Sequence, residues 1–355
     1  MIQIDGSHME GGGQIIRTAL ALSVLTQKPF CAVNIRRNRP VPGLKKQHLC
    51  CIDALTQLTG ARVKNAHTGS ESIEFYPARI VPKTLTIDIG TAGSITLLLQ
   101  SLLLPCMFAP GPVRLKIKGG TDTKWSIPMD YFMRLILPFF NDYATINVYD
   151  TRRGFYPKGN GLMDLEIHPS RLSVSDSQNM EEFVKRLRKT TPALYILKRP
   201  EISEIRGISA ASSMLKKAKV AQRQSRGAIA KIGGRLAVRI EEQYHQTASA
   251  GTVITLWGEV EQGKATLGGS ALGERGLPAE KVGEQAAEEL LTVLKSEAAL
   301  DSHLADNLIP LMALTGGSLK PEKITGHILS NIYVCEQFLN VHFNVNHKNN
   351  QIQAV

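Results

Sequence analysis

The chain has 355 residues, 43% of them apolar and 21% charged. This is the composition of a folded globular protein with room for about two domains, and it excludes a disordered or collagen-like chain. Lys and Arg outnumber Asp and Glu by 42 to 31, a formal charge of +11, which favours polyanionic partners such as RNA, DNA or nucleotides and equally fits a solvated basic surface.

In chain order, Met1 to Asp5 reads as a short strand, with no basic or apolar leader pattern. Gly6-Ser7-His8-Met9 resembles a cleaved-tag remnant but lies between native-looking segments, and is read as native. Glu10-Gly11-Gly12-Gly13-Gln14-Ile15-Ile16-Arg17 follows, opening an apolar helix over Gln14 to Leu25. Three glycines at a helix start let a ligand approach the backbone and leave amides at the positive helix end, which suits an anion. Glu10 could hold a divalent metal and Arg17, one turn on, the same anion; a glycine cap with a surface Glu–Arg pair is the other reading.

Arg36, Arg37, Arg39, Lys45 and Lys46 then fall in a segment stiffened by Pro40 and Pro42, pointing to an RNA phosphate or terminal-phosphate site. A helix is expected over Gly43 to Leu58, then strands at Ala61–Val63 and Ile73–Tyr76. Gly90 to Ser94 opens the next apolar helix, Ile95 to Leu104. The run from Ile95 to Phe108 is too short and too interrupted by Gln100, Ser101 and Pro105 to span a bilayer. Gly119 to Asp122 forms a turn before Trp125, which is either a stacking aromatic or a core residue. A helix over Ile127 to Phe140 precedes strands at Ile146–Val148 and Met163–Ile167, joined through a Gly- and Pro-rich hairpin, Arg153 to Gly161.

Ser173 to Pro192 is polar and reads as a link. From Leu197 to Ser296 the composition shifts. A small-residue, basic stretch from Gly207 looks helical, Ala237–Ile240 and Val253–Trp257 look strand-like, and Glu280–Leu294 is helical by propensity. This is read as a small inserted α/β domain, a substrate-grip module or a plain structural insertion. Helices over Leu304–Leu314 and His327–Leu339 and strands at Val341–Val345 and Ile352–Val355 complete the chain. A βαβαββ unit used three times accounts for the whole pattern, the third interrupted by the insert. The fold class is therefore α/β (α+β): a large domain of 1–196 and 297–355 and a small one of 197–296.

His327, in Thr325 to Ile332, sits where a polar turn meets an apolar helix. A neutral imidazole held there could attack phosphorus, and a cap or packing residue is the plainer reading. Asp306, 21 residues earlier, could orient that imidazole or cap its own helix. Five cysteines show no metal-type spacing and are expected as free thiols, so a cytosolic protein is expected, with the nucleus also compatible.

Together the segments Asp5–Arg17, Arg36–His48, Gly90–Gln100, Lys118–Asp122, Gly154–Gly161, Leu304–Asn307 and Gly326–Ile332 resemble the RNA 3′-terminal phosphate cyclase family, in order and over nearly the whole chain. The resemblance implies conversion of an RNA 3′-phosphate to a 2′,3′-cyclic phosphodiester with ATP and Mg2+ or Mn2+, through a histidine–AMP adduct on His327 and an adenylated RNA end. It implies Glu10 as metal ligand, and Gln100, His303, Leu304, Ala305, Asp306, Asn307 and Arg17 around ATP. It further implies Arg36, Arg39, Gln47 and His48 at the RNA end or the ATP phosphates. Two departures stand out: His303 replaces a typical aromatic residue, and Glu322-Lys323-Ile324 lacks the small or His-containing pattern before the nucleophile. The alternative is a non-catalytic, cyclase-like RNA-binding protein of ribosome assembly, a scaffold with no need of His327, Glu10, Arg17 and Gln100. An enolpyruvyl transferase shares related repeats but would not call for a charge of +11.

Overall fold

The computed structural model describes residues 1–169, 172–234 and 236–355. The first block runs β1 (Ile2–Asp5), α1 (Gly13–Thr26), β2 (Phe30–Val33), α2 (Lys46–Thr59), β3 (Arg62–Lys64) and β4 (Ile73–Tyr76). The second runs β5 (Thr84–Asp88), α3 (Ile95–Met107), β6 (Val113–Gly119), a broken helix, β7 (Ala144–Arg152) and β8 (Gly161–Pro169). The broken helix is α4 (Met129–Tyr131), a π-helical segment (Phe132–Ile136) and α5 (Leu137–Phe140). After α6 (Met180–Thr190) come β9 (Leu194–Ile196), β10 (Glu204–Ser212), α7 (Val220–Ile232), β11 (Val238–His245), β12 (Thr252–Glu259), β13 (Gly268–Leu272) and α8 (Ala279–Lys295). The chain ends with α9 (Ser302–Thr315), β14 (Gly317–Leu319), α10 (Gly326–Phe338), β15 (Phe343–Asn346) and β16 (Gln351–Ala354).

Three of the sheets share one strand order: β1-β2-β4-β3, β5-β6-β8-β7 and β9-β14-β16-β15. In each, the first pair is parallel and the others antiparallel. A parallel pair needs a crossover, and α1, α3 and α9 supply the helices. Helices α1, α2, α3 and α10 each follow a strand of a parallel pair and so start at its C-terminal end, and side-chain bonds join the first turns of α1, α3, α9 and α10.

Helix α1 is the axis of this arrangement. Twelve of its fourteen residues are buried, and it packs on α3 and α10. A helix apolar nearly all round is a core helix, and each fully buried Ile or Leu contributes about 1.5–3 kcal/mol. At its N-terminal end Gln14, Arg17 and Thr18 lie at i, i+3 and i+4 and form one polar stripe.

The fourth sheet, β11-β10-β12-β13, is covered by α7 and α8 over its own core of Ile205, Ile254, Leu256, Val282 and Leu290. Gly207 to Ala210, expected to begin a helical stretch, lies instead in the central strand β10. The small residues serve close packing, since a Cβ on Gly207 would lie 2.5 Å from Leu256 Cδ2. The polar link before it is also not loop throughout: α6 buries Phe183 and Leu187 and exposes its charges. Arg199 joins the segments entering and leaving this region, donating to the carbonyls of Leu294 (2.7 Å), Val293 and Ala298 (both 3.1 Å) at the end of α8. A guanidinium there meets the negative end of the helix.

Asp301 fixes the start of α9. Its carboxylate accepts from Leu304 N (2.9 Å), Tyr131 Oη (2.5 Å) and Gly268 N (2.8 Å), joining the helix cap to α4 and to β13. Removing it strands buried donors from three elements. Asp301→Ala is therefore expected to lower unfolding stability by about 3 kcal/mol, read as a reduced urea midpoint, whereas a mere helix cap would cost about 1.

Candidate functional site

Four helices each carry a polar stripe at the N-terminal end of an otherwise apolar surface. On α1 it is Gln14, Arg17 and Thr18; on α3, Thr96 and Gln100; on α9, His303, Asp306 and Asn307; on α10, His327, Ser330 and Asn331. The i, i+3, i+4 spacing puts each set on one face. The stripes meet. Gln14 Nε2 donates to Asp306 Oδ1 and, at 3.4 Å, to the carbonyl of His327. Asn331 Nδ2 donates to the carbonyl and to Oδ1 of Asp306, both at 2.9 Å, and Thr18 Oγ1 donates to Asn331 Oδ1 at 2.6 Å. Arg17 Nε donates to Gln100 Oε1 (2.9 Å), and Gln100 Nε2 to Asn307 Oδ1 (3.0 Å). Burial pushes the Asp306 carboxyl above the ordinary carboxylate range, opposed by His327, Gln14, His303 and Arg17.

His327 is the second residue of α10, whose first turn is capped by Thr325 Oγ1 accepting from Ile328 N (3.2 Å). Its side chain is 46% exposed, and Nε2 lies 3.4 Å from Glu10 Oε2. The same carboxylate oxygen pairs with Arg39 Nη2 at 3.1 Å. A Cβ on Gly12 would sit 3.4 Å from Arg39 Nη2 and 3.7 Å from His327 Cε1, so the glycine turn forms the floor beneath both. Of the four helices, α1 alone lacks a side-chain cap. Its N-cap is Gly12 and its first turn holds no acid, which leaves amides open to an anion. The Glu10–Arg39 pair is too exposed to be worth more than about 1 kcal/mol, so an incoming anion can take over Arg39 at small cost.

His48 is buried on the other side of the turn. Its Nδ1 accepts from Lys45 N (2.9 Å), and Nε2 would lie 1.9 Å from a Cβ on Gly13. Burial, then Arg17, Arg36 and Lys45, push its pKa down to about 3. It is a neutral wedge behind the anion turn. Gln47 Nε2 donates to the carbonyl of Ser94 (3.0 Å), tying α2 to the start of α3. Arg36 is committed to its own loop, with Nη1 donating to the carbonyl of Val41 (2.8 Å).

Several sequence expectations are relocated. Asp306 neither caps a helix nor bonds the imidazole: the cap is Asp301, and Asp306 holds Gln14 and Asn331 one turn in. Leu304 and Ala305 are fully buried, so their side chains face the core and not a nucleotide. His303 lies on the open face, and its hydrogen bond to Glu289 at 3.2 Å raises its pKa to about 9. Trp125 is not a core residue but 93% exposed. Gln14, Thr18 and Asn331 were not singled out from the sequence; polar residues repeating at i, i+3, i+4 in apolar helices were the available signal.

Among the described residues no three His, Cys, Asp or Glu side chains are grouped to hold a metal. Glu10 offers one carboxylate beside the anion turn. A cation there would take its other ligands from phosphate oxygens and water, which suits a hard ion such as Mg2+. A cavity of about 40 Å3 lies beneath the stripes, lined by Gln14, Thr18, Gln100 and Asp306 with Leu103 and Phe132 below. It is too small for a nucleoside. No helix among the described residues is long and apolar enough to cross a membrane.

A mixed α/β fold whose helix N-termini converge on a half-exposed histidine, an uncapped glycine turn and an arginine defines a protein built to handle phosphates. The profile of the RNA 3′-terminal phosphate cyclase family matches residues 8–345. The RNA 3′-terminal phosphate cyclase of Pyrococcus abyssi is 41% identical over 341 residues, covering 96% of this chain and 93% of that protein. Those of Thermococcus onnurineus and Methanosarcina mazei are each 42% identical, over 97% and 98% of this chain and 95% and 97% of their own lengths. The chain belongs to the RNA 3′-terminal phosphate cyclase family of enzymes.

Two outcomes test the wedge. Gly13→Ala should strongly destabilise the protein, and His48→Ala in the same chain should restore much of the lost melting temperature by clearing the clash. His48 also has a pH signature. Its folded pKa lies below the unfolded value, so the unfolded state gains a proton that the folded state refuses. Stability should therefore fall as pH drops from about 6.5 towards 3, by at most about 1.4 kcal/mol per pH unit. His48→Asn, which keeps an acceptor for Lys45 N, should remove one proton from that slope in urea titrations.

Proposed function

We propose that this chain uses ATP to convert an RNA 3′-phosphate end into a 2′,3′-cyclic phosphodiester, with His327 as the nucleophile. The observation that carries the reading is His327 itself. Its side chain is half exposed, with Nε2 beside Glu10 and the ring next to the uncapped turn of α1 and Arg39, where a triphosphate would lie.

In the first step Nε2 attacks the α-phosphorus of ATP, forming an N–P bond as pyrophosphate leaves. Next, an oxygen of the RNA 3′-phosphate attacks the same phosphorus and releases the imidazole, giving an adenylated RNA end. The neighbouring 2′-hydroxyl then attacks the terminal phosphorus, loses its proton and expels AMP. Activation is needed because a phosphate dianion is a poor electrophile, and the final closure is fast because the hydroxyl is intramolecular. The requirement for a 2′-hydroxyl makes RNA the substrate.

Arg39 and the amides of the α1 turn would bind phosphate charge as it develops. Glu10 would hold Mg2+ or Mn2+, which neutralises phosphate charge when bound. Arg17, Gln100, Asp306 and Asn307 fix the floor under the nucleotide, and His303 presents a cation on its outer rim. Arg36, Gln47 and His48 hold the loop that receives the RNA end. Residues 197–296 are read as an inserted domain, and a cytosolic setting fits the free thiols.

Incubation with α-labelled ATP and Mg2+ or Mn2+ tests this. An acid-labile, alkali-stable label is expected on the protein, absent from His327→Ala and discharged by an RNA bearing a 3′-phosphate. No label on the wild-type protein, with RNA binding intact, would sink the mechanism and favour the scaffold alternative.

A further inference from the structure

Beyond the phosphate site, the turn at Gly119–Ile127 presents Trp125 in an unusual way. Its backbone is left-handed, φ 63°, and its side chain is 93% exposed. Both features are unfavourable for a bulky aromatic residue, and the chain's other tryptophan, Trp257, is buried. The strained backbone therefore holds an indole out in solvent, where it gains nothing in the folded chain.

The turn is anchored to the site. Gln47 bonds the carbonyl of Ser94, Gly120 N donates to the carbonyl of Gly93 (2.7 Å), and Thr96 Oγ1 donates to the carbonyl of Ile127 (2.9 Å). The hairpin carrying Tyr156 lies alongside: Thr121 N donates to the carbonyl of Gly154 (3.0 Å), and a Cβ on Gly159 would lie 2.8 Å from the carbonyl oxygen of Thr91. Tyr156 is 76% exposed. Three turns thus form one surface at the same end of the sheets as His327, carrying two exposed aromatic rings.

Its charge is positive. Asp88 is paired with Lys118 and Glu274 with Lys124, while Asp122 and Asp130 share the buried Arg153 beneath the surface. Lys158 on the hairpin and Lys46 beside Gln47 enter no ion pair among the described residues, so nothing balances them. Aromatic faces beside lysines are what a single strand of nucleic acid needs: stacking for bases and cations for phosphates.

We propose that this surface is the track for the single-stranded RNA upstream of its phosphorylated 3′ end, with Trp125 and Tyr156 stacking successive bases. The direction rests on the cyclase reading; the surface itself does not. The substrate class is then a 3′-phosphorylated RNA with an unpaired end, bound with little base preference because every base offers a π-face.

Trp125→Gly is the informative variant, because glycine accepts the left-handed backbone while removing the ring. A fluorescein-labelled single-stranded oligoribonucleotide with a 3′-phosphate should bind it about tenfold more weakly, the loss of one base stack. Trp125→Phe should retain most of the affinity. In Trp125→Gly the melting temperature should not fall, and both ATP labelling and the affinity for a dinucleotide 3′-phosphate should be unchanged. Equal affinity of wild type and Trp125→Gly for the oligonucleotide would overturn the proposal and leave the rings to a protein partner. Loss of the dinucleotide alongside would equally overturn it, since the ring would then act through the site. A wild-type protein that takes no label from ATP but binds RNA through Trp125 would support this surface while the cyclase reading fails.

Discussion

The site depends on one carboxylate. Asp306 accepts from Gln14 of α1 and from Asn331 of α10 while belonging to α9, so three helices from opposite ends of the chain are held by a single oxygen and its neighbours. A fourth helix, α3, joins through Gln100, Arg17 and Asn307. In a low-dielectric setting each of these bonds strengthens the others, and leaving any one unmade is costly. The position of His327 follows from this. Its carbonyl meets Gln14 and its turn carries Asn331, so the turn that bears the imidazole is fixed by bonds made below it, while the ring's own neighbour is the exposed Glu10 carboxylate.

The rest of the site is arranged by what the helices lack. Three of the four carry a side chain that satisfies their first amides, Ser94, Asp301 and Thr325. On α1 that role is left to Gly12. The open helix end, the weak Glu10–Arg39 pair and the half-exposed imidazole lie within one small area, whereas the polar groups beneath bond to one another. Rigidity is concentrated under the site and exchangeable interactions on top of it.

Much of the fold was legible. The glycine turns before apolar helices and the alternating strand pairs gave the order of the large region, because both periodicities are strong. What the sequence concealed were short, central or polar elements. Strands β9 and β14 have three residues each, too few for a pattern, and β10 has small residues that suit close packing as well as helix. Helix α6 was hidden because its apolar stripe is two residues wide. In the candidate site, His327, Glu10 and Arg39 stand out in the sequence as residue types, while the arrangement that brings them together depends on tertiary placement. Asp306 was taken for an orienting or capping group because a carboxylate's partner depends on tertiary placement. Trp125 could not be placed because nothing local distinguishes a core indole from a presented one.

The contact between Gly13 and His48 has a consequence for recombination. The two residues are 35 positions apart yet share one volume, since an imidazole fills the space that a side chain at 13 would need. Any chimera with a crossover between them inherits half of a steric pair. The first 48 residues therefore behave as one exchangeable block: a relative with a larger residue at the first position and a smaller one at the second could donate both together but neither alone.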